Sequence, residues 1–288
     1  MSRKPTLGIV VNPHRPKAVE AAGRLEEYLS KLDVPYRPPC TFDAALGDAG
    51  AGLDAHLADV DALIVLGGDG TLLAASRYAA PKGIPLLSVR FGGFGFLAEA
   101  EPDELEEAVE RVVRGEYSVQ ERTMLYAELV RGPTPVASSL ALNDVVVTRG
   151  PLSRVVLVRT EVRAGYLATY SGDGVVVSSP TGSTAYSLSA GGPLVDPSVP
   201  VILITPICPH SLNARSVVLS DEEEVALTVE SSDEAMMTAD GQVGVPLVQG
   251  DRILVRRADV RAKLITFGLK TFYDHLQSRL RWGDTFGL

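Results

Sequence analysis

Cysteine is nearly missing from this 288-residue chain: Cys40 and Cys208 are the whole complement, too few and too far apart for a disulfide framework or a zinc site. Both read as buried or half-buried thiols in a reducing compartment, which makes the cytoplasm the default location. Long apolar runs are also missing near the start. In MSRKPTLGIVVNPHRP the run Leu7 to Val11 stops at Asn12-Pro13, too short for a signal peptide or a membrane span, so no membrane partner is expected. Dense Lys/Arg runs are absent, and 27 Lys and Arg face 36 Asp and Glu for a formal charge of -9, which speaks against a nucleic-acid partner. An anionic small molecule stays open, because loops and helix ends bind phosphate whatever the sign of the whole surface. There is no Walker-type GxxxxGK[ST] run, so any phosphate cradle is of another kind. Internal repeats and low-complexity segments are lacking as well.

What is present suffices for a substantial core. With 45% hydrophobic residues at this length, two domains are expected. Strand-like apolar runs alternate with helical ones at first: Leu7 to Val11, Ala18 to Leu32, Ala62 to Leu66, Leu72 to Ala80, Pro85 to Val89 and Pro102 to Arg114. The alternation predicts a doubly wound α/β domain over residues 1–116, with ligands outside the carboxyl ends of its strands. From Tyr117 the pattern changes to short alternating strands, among them Thr123 to Val130, Val145 to Thr148, Arg154 to Val162, Val201 to Thr205, Glu224 to Glu230 and Arg252 to Arg256. These predict an antiparallel β-sandwich-type domain over residues 117–267. Phe272, Leu276 and Leu280, at i, i+4 and i+8, predict a helix in the tail 268–288 that packs back on the first domain.

The most informative stretch is DALIVLGGDGT, Asp61 to Thr71. A buried strand, Ala62 to Leu66, runs into Gly67, Gly68, Asp69, Gly70 and Thr71, and a helix is expected from Leu72. Gly67, Gly68 and Gly70 permit positive φ and close approach of backbone N–H groups to an anion, so with Thr71 they read as a phosphate-binding loop. Asp69 stands out, since a bare carboxylate inside an anion cradle repels phosphate. It reads as a base toward a hydroxyl or as a partner for a metal ion. The plainer alternative is a turn in which Asp69 caps the helix. Asn12-Pro13 and the group Gly92-Gly93-Phe94-Gly95-Phe96 follow two further strands, so three strand ends are candidates to face one cleft, with a simple tight turn as the alternative for the Gly92 group.

A second glycine constellation, GDGVVVSSPTGSTAYSLSAGGP from Gly172 to Pro193, puts a strand, a polar turn and a small-residue helix (Thr184 to Ala190) inside the β-rich region. Thr181, Ser183 and Thr184 supply hydroxyls, and Tyr186 is placed to stack on a base or ribose. The alternative is a closely packed helix with Tyr186 in the core. Taken singly, Asp173 between two glycines reads as a turn residue, and Asn143-Asp144 as a strand opening.

Taken together, GGDGT at Gly67, ALNDVV at Ala141, the Gly172 to Pro193 segment, TPICPHSLNARSVVL at Thr205 and ADGQ at Ala239 resemble the NAD kinase family, in order, from about residue 7 to about residue 268. GGDGT alone is shared with diacylglycerol and sphingosine kinases. The GSTAYSLSAGGP segment with TPICPHS is the specific part. The resemblance implies transfer of a γ-phosphoryl group from ATP, or from polyphosphate in some members, to the 2′-hydroxyl of the adenosine ribose of NAD, making NADP. It implies a divalent cation such as Mg²⁺, bound mainly through the phosphate donor, and a homodimer or homotetramer. It implies Asp69 as the catalytic residue with Gly70 contacting substrate beside it, and Asn143 and Asp144 at the adenine and ribose end. Asp173, Thr181, Thr184, Ala185, Tyr186, Ser187, Leu188, Ser189 and Gln242 are then expected to line the NAD site.

Two positions depart from that family's pattern. Asp144 stands where a glutamate is usual, one methylene shorter. Ser171 stands where some members have an arginine, and Arg154, on a neighbouring strand segment, is the candidate to supply that positive charge. Two rivals remain: a lipid kinase using the same GGDGT cradle, for which the polar Ser178 to Ser189 segment is a poor acyl entry, and a non-catalytic NAD(P) sensor.

Overall fold

The structure is a computed structural model and describes residues 3–41, 50–93, 95–151, 153–231, 234–269 and 271–280. The chain divides into two compact units, one built from residues up to 121 and from 262 onward, the other from 122 to 261.

The first unit opens with β1 (Leu7–Val11), α1 (Pro16–Lys31), β2 (Cys40–Thr41), α2 (Gly50–His56), β3 (Ala62–Gly67), α3 (Asp69–Ala79), β4 (Leu86–Arg90) and α4 (Leu105–Arg114). Its strands lie in the order β2-β1-β3-β4 and pair in parallel, Leu7 to Val11 against Ala62 to Leu66 and Leu63 to Gly67 against Leu86 to Arg90. α1 forms because Pro16 pre-sets its first turn and because Ala18, Ala21, Ala22, Leu25 and Leu29 fall on one stripe. That stripe and the Leu105, Ala108, Val109 and Val112 stripe of α4 pack with Ile9, Val11, Ile64, Leu66, Leu87 and Val89. Leu53 and Leu57 with Leu72, Ala75 and Ala79 of α3 pack with Val10, Leu63 and Val65, the alternate residues of the same strands. Helices therefore cover both faces, as the doubly wound expectation requires. From β1 the chain goes to β2 on one side and returns to β3 on the other, so the strand order reverses between β1 and β3. In such sheets the ligand crevice opens outside the carboxyl ends at that reversal, here Val11-Asn12 and Gly67-Gly68.

The second unit is antiparallel. It contains most of β5 (Ser118–Arg131), β6 (Thr134–Ala141), β7 (Asp144–Arg149), β8 (Val156–Val162), β9 (Gly165–Gly172), β10 (Gly174–Ser178), the short helix α5 (Tyr186–Ser189), β11 (Val201–Ile207), β12 (Val217–Ser220), β13 (Glu224–Val229), β14 (Ala235–Ala239), β15 (Val243–Leu247) and most of β16 (Arg252–Thr266). One layer has the order β16-β13-β8-β9, the other β12-β11-β10-β7-β14-β15. Val145, Val147, Val175, Val177, Ile202, Ile204 and Met237 of the second layer meet Val156, Val158, Val225, Leu227, Ile253 and Val255 of the first in one buried cluster. The intervening Val146 and Val176 face the other way, toward Ile207 and Ala190, which is the period-two signature of a sandwich layer.

β16 crosses back into the first unit, where Leu264 pairs in parallel with Leu86 of β4. α6 (Phe272–Leu280) follows in the same unit with Leu276 buried; the side chain of Leu280 lies outside the described residues. Among the described residues no helix is long and apolar enough to cross a membrane.

Candidate active site

In the first unit, three strand ends are tied together. The Asn12 N–H donates to the Leu66 carbonyl at 3.0 Å and its amide Nδ2 to Thr71 Oγ1 at 3.2 Å. The Phe91 N–H donates to the Gly67 carbonyl at 2.7 Å. α3 begins at Asp69, earlier than the sequence suggested, with Gly68 as its N-cap at φ −112° and ψ −173°. Gly67, Gly68 and Gly70 do not use the left-handed conformation that motivated them. Gly67 is required for a different reason: a Cβ there would lie 2.4 Å from Thr71 Oγ1. At Gly68 the same Cβ would meet no atom within 4 Å.

Asp69 is the first residue of α3 rather than its N-cap. Its Oδ2 accepts the Phe96 N–H at 2.8 Å and its Oδ1 the Leu97 N–H at 3.4 Å. A Cβ at Gly95 would fall 2.3 Å from Asp69 Oδ1, so this glycine lets the loop after β4 close on the carboxylate. Phe94 lies outside the described residues. Gly92, at φ +146°, carries the Arg15 guanidinium over it: a Cβ there would be 3.2 Å from Arg15 Cζ. Arg15, three residues past Asn12, is a cation among these strand ends that the motifs did not flag.

The second unit assembles its own constellation around the turn Leu142-Asn143-Asp144 that opens β7. On one side, the Ser179 hydroxyl donates to the Leu142 carbonyl and the Ser179 N–H to the Asn143 carbonyl at 2.9 Å. Gly182 lies so close that a Cβ would sit 2.1 Å from the Asn143 carbonyl oxygen. On the other side, the Asp240 carboxylate accepts the N–H groups of Leu142, Asn143 and Asp144 at 3.1, 2.7 and 3.3 Å. The backbone is thus held from both sides, while Asn143 Oδ1 and Thr181 Oγ1, on adjoining segments, are buried without a partner. Among the described residues only Thr160 Oγ1 shares that condition. Paired orphans of this kind mark a place for an external hydrogen-bonding group.

Asp144 is 5% exposed, and its carboxyl is pushed up to about 7, first by burial and then by the charge of Asp240. Asp173 lies in the tight Gly172–Gly174 turn and pairs with Arg149, Nε to Oδ1, at 2.7 Å. That hydrogen bond holds the Asp173 carboxyl below the ordinary carboxylate range. Tyr186 is 42% exposed rather than in the core, and its hydroxyl is raised by partial burial and then by the charges of Asp173, Cys208 and Asp144. Asn143, Asp144, Thr181, Asp173 and Tyr186 therefore belong to one neighbourhood.

The remaining expected residues spread around it. The helix expected from Thr184 to Ala190 is broken into a 3₁₀ turn, Thr181–Thr184, and α5, because Ala185 at φ −102° and ψ −129° leaves the helical region. Thr184 Oγ1 donates to the Thr181 carbonyl at 3.2 Å. Ala185 and Leu188 are half-buried and Ser189 is exposed. Ser187 is fully buried, with its hydroxyl 2.9 Å from Thr205 Oγ1. Gln242 closes the turn after β14, its N–H donating to the Ala239 carbonyl at 3.0 Å. β8 starts only at Val156, so Arg154 lies in an exposed bend, and the guanidinium set against Asp173 is that of Arg149. Sequence reasoning passed over Arg149 and Asp240; the latter stood inside the quoted ADGQ motif, where an Asp-Gly pair looks like an ordinary turn.

The sequence matches two family profiles, the ATP-NAD kinase N-terminal domain over residues 48–117 and the ATP-NAD kinase C-terminal domain over residues 142–267. An NAD kinase of Heliobacterium modesticaldum is 47% identical over 281 residues, covering 97% of this chain and 99% of that protein. Among solved structures, a yeast NADH kinase complexed with NADH superposes with a TM-score of 0.81 at 26% identity, covering 100% of this chain and 91% of that one. An NAD kinase from Archaeoglobus fulgidus in complex with ATP gives 0.74 at 24% identity, with 96% and 98% covered, and bears on the fold alone. With both profiles in sequence order and near full-length similarity at this identity, the chain belongs to the NAD kinase family, phosphotransferases that pass a phosphate to NAD.

Proposed function

We propose that this NAD kinase transfers the γ-phosphoryl group of ATP to the 2′-hydroxyl of the adenosine ribose of NAD, with Asp69 as general base. The observation that carries the reading is the position of Asp69: at the carboxyl-end reversal of the parallel sheet, on the first turn of α3, with its carboxylate oriented by two backbone N–H groups. A ribose hydroxyl is a poor nucleophile at neutral pH. In this reading Asp69 takes the hydroxyl proton as the oxygen bonds to Pγ and the bond from Pγ to the bridging oxygen breaks, releasing ADP. A carboxylate oxygen accepts more than one hydrogen bond, so orientation by the loop is compatible with proton acceptance.

For the acceptor, the orphaned Asn143 Oδ1 and Thr181 Oγ1 fit the hydroxyl and amino donors of a nucleoside, with Asp144 beside them and Tyr186 as a stacking face. Thr184, Ala185, Leu188, Ser189, Gln242 and Asp173 complete the proposed NAD surface, and Ser187 supports it from within. Gly67, Gly68, Gly70 and Thr71, with the nearby Arg15, form the proposed donor-phosphate side. Among the described residues no group of three or more His, Cys, Asp or Glu is arranged to hold a metal ion. The described residues offer no such group for Mg²⁺; a cation bound mainly through the donor's phosphates needs none. That cation neutralises phosphate charge when bound. Polyphosphate is an alternative donor in the same reading, and a homodimer or homotetramer the expected assembly.

The test is an endpoint assay with NAD, ATP and Mg²⁺, reading NADP with an NADP-specific dehydrogenase, for the wild type and Asp69→Asn. NADP from the wild type and a rate lower by roughly 10²-fold or more in the variant support both reaction and base. Near wild-type turnover in the variant removes Asp69 from the chemistry, and NAD binding without NADP from either donor supports a sensor instead.

A further inference from the structure

Asp240 occupies the turn between β14 and β15 with φ +51°, followed by Gly241 at +64°. Two successive positive φ values are the geometry of a tight hairpin turn, which Asp-Gly satisfies with its side chain in water. Here the side chain is turned inward instead, and Asp240 is only 9% exposed. Its Oδ1 accepts from Asn143 and Asp144 and its Oδ2 from Leu142, while its own N–H donates to the Asp144 carbonyl at 2.9 Å. One residue from a distant hairpin therefore makes four hydrogen bonds to three consecutive residues.

We propose that Asp240 is a positioning residue for the acceptor nucleotide: it holds the Leu142–Asp144 backbone so that Asn143 and Asp144 face the ligand as one fixed pair. The inference rests on the reading that these two residues hold NAD. Two consequences follow from the chemistry. Because the N–H groups of the turn are spent on Asp240 and the carbonyls of Leu142 and Asn143 on Ser179, the Asn143 side chain is left to serve the ligand. Because two buried carboxyls at adjoining positions do not both ionise readily, the one accepting three N–H bonds keeps the charge. The proton then resides on Asp144, which meets the ligand at neutral pH partly as a hydrogen-bond donor. The groups facing Asp144 are Asp240, from the β14–β15 turn, and the Tyr186 hydroxyl, from the start of α5. Of these, Asp240 is the one that raises the Asp144 carboxyl.

The experiment compares wild type, Asp240→Asn, Asp240→Ala and Asn143→Ala in the full-length protein. Steady-state rates at saturating ATP give kcat and KM for NAD from pH 5.5 to 8.5, and thermal melting checks the fold. Asp240→Ala is expected to raise KM for NAD roughly ten-fold or more, from the loosened turn, with KM for ATP unchanged. Asp240→Asn keeps the shape and one acceptor oxygen, so it remains informative if the alanine variant fails to fold. It is expected to move the neutral-pH inflection in kcat/KM for NAD to lower pH, since burial alone then acts on Asp144. An unmoved inflection together with an unchanged KM for NAD in Asp240→Asn overturns the proposal. Asn143→Ala with unaltered KM for NAD overturns instead the reading on which it rests.

Discussion

Asp69 Oδ2 accepts the backbone N–H of Phe96 at 2.8 Å, so the proposed base is also the anchor of the loop after β4. The two roles separate at Gly95. Its backbone φ is compatible with alanine, but the added Cβ would fall 2.3 Å from Asp69 Oδ1 and 2.8 Å from Cγ. Gly95→Ala is expected to displace the carboxylate and lower kcat by roughly 10²-fold while leaving Asp69 chemically intact. Gly23→Ala, in α1 with no atom within 4 Å of the new methyl, is the control. It should leave kcat unchanged and add about 0.5–1 kcal/mol of stability. Rates and urea unfolding of both variants check this, and a normal kcat in Gly95→Ala would show that the loop gives way instead.

Gly182→Ala tests the other constellation. The new methyl would lie 2.1 Å from the Asn143 carbonyl oxygen and 2.6 Å from its carbon, both backbone atoms that cannot rotate aside. A cost of about 1–3 kcal/mol is expected, read as a lower Tm, together with a raised KM for NAD and an unaltered KM for ATP.

The raised Asp144 carboxyl has a stability consequence whose sign is opposite to that of a salt-bridged carboxylate. Its folded pKa of about 7 stands above the ordinary 3.8, so between these values the native chain binds more protons than the unfolded one. Stability contributed by this group is therefore present in acid and lost as pH rises from about 4 to about 7. Asp144→Asn should flatten that part of the stability curve and exceed the wild type in Tm at pH 8. Urea denaturation of the ligand-free protein across pH 4–8 decides it, and parallel curves for the two proteins would place the proton elsewhere.

Tyr186→Ala is expected to weaken NAD binding by about 1–3 kcal/mol, the usual worth of stacking on a base, with Tm little changed because the ring is 42% exposed. Calorimetric titration with NAD measures the first and a melting curve the second. Unaltered affinity with a falling Tm would mark the ring as a packing element.

The parallel sheet and the sandwich were legible because both rest on local signals: apolar period, glycine punctuation and short alternating strands. Asp69 was legible as an anomaly, a carboxylate where glycines promise an anion. What the sequence hid depends on contacts between distant positions. Asp240 looks like a solvent-facing turn residue until the turn it satisfies, 97 positions earlier, is brought against it. That Arg149 meets Asp173 follows only from the β7–β10 register, in which Gly174 faces Thr148. In the run Thr184 to Ala190, nothing local tells which serine turns inward; only the place of Thr205 on β11 selects Ser187. Gly67 was flagged for freedom of φ, whereas its need is for space beside Thr71.

The route of β16 bears on how the chain matures. Residues 122–261 interrupt the first unit, whose last parallel neighbour, Leu264 beside Leu86, is made after every other strand. On the ribosome the sandwich strands therefore emerge while Leu86 still lacks its β16 neighbour, although the Ser88–Arg90 stretch of β4 is already bridged by Glu99 and Ala100. A chain released a few residues early would carry a complete second unit and an unfinished first one.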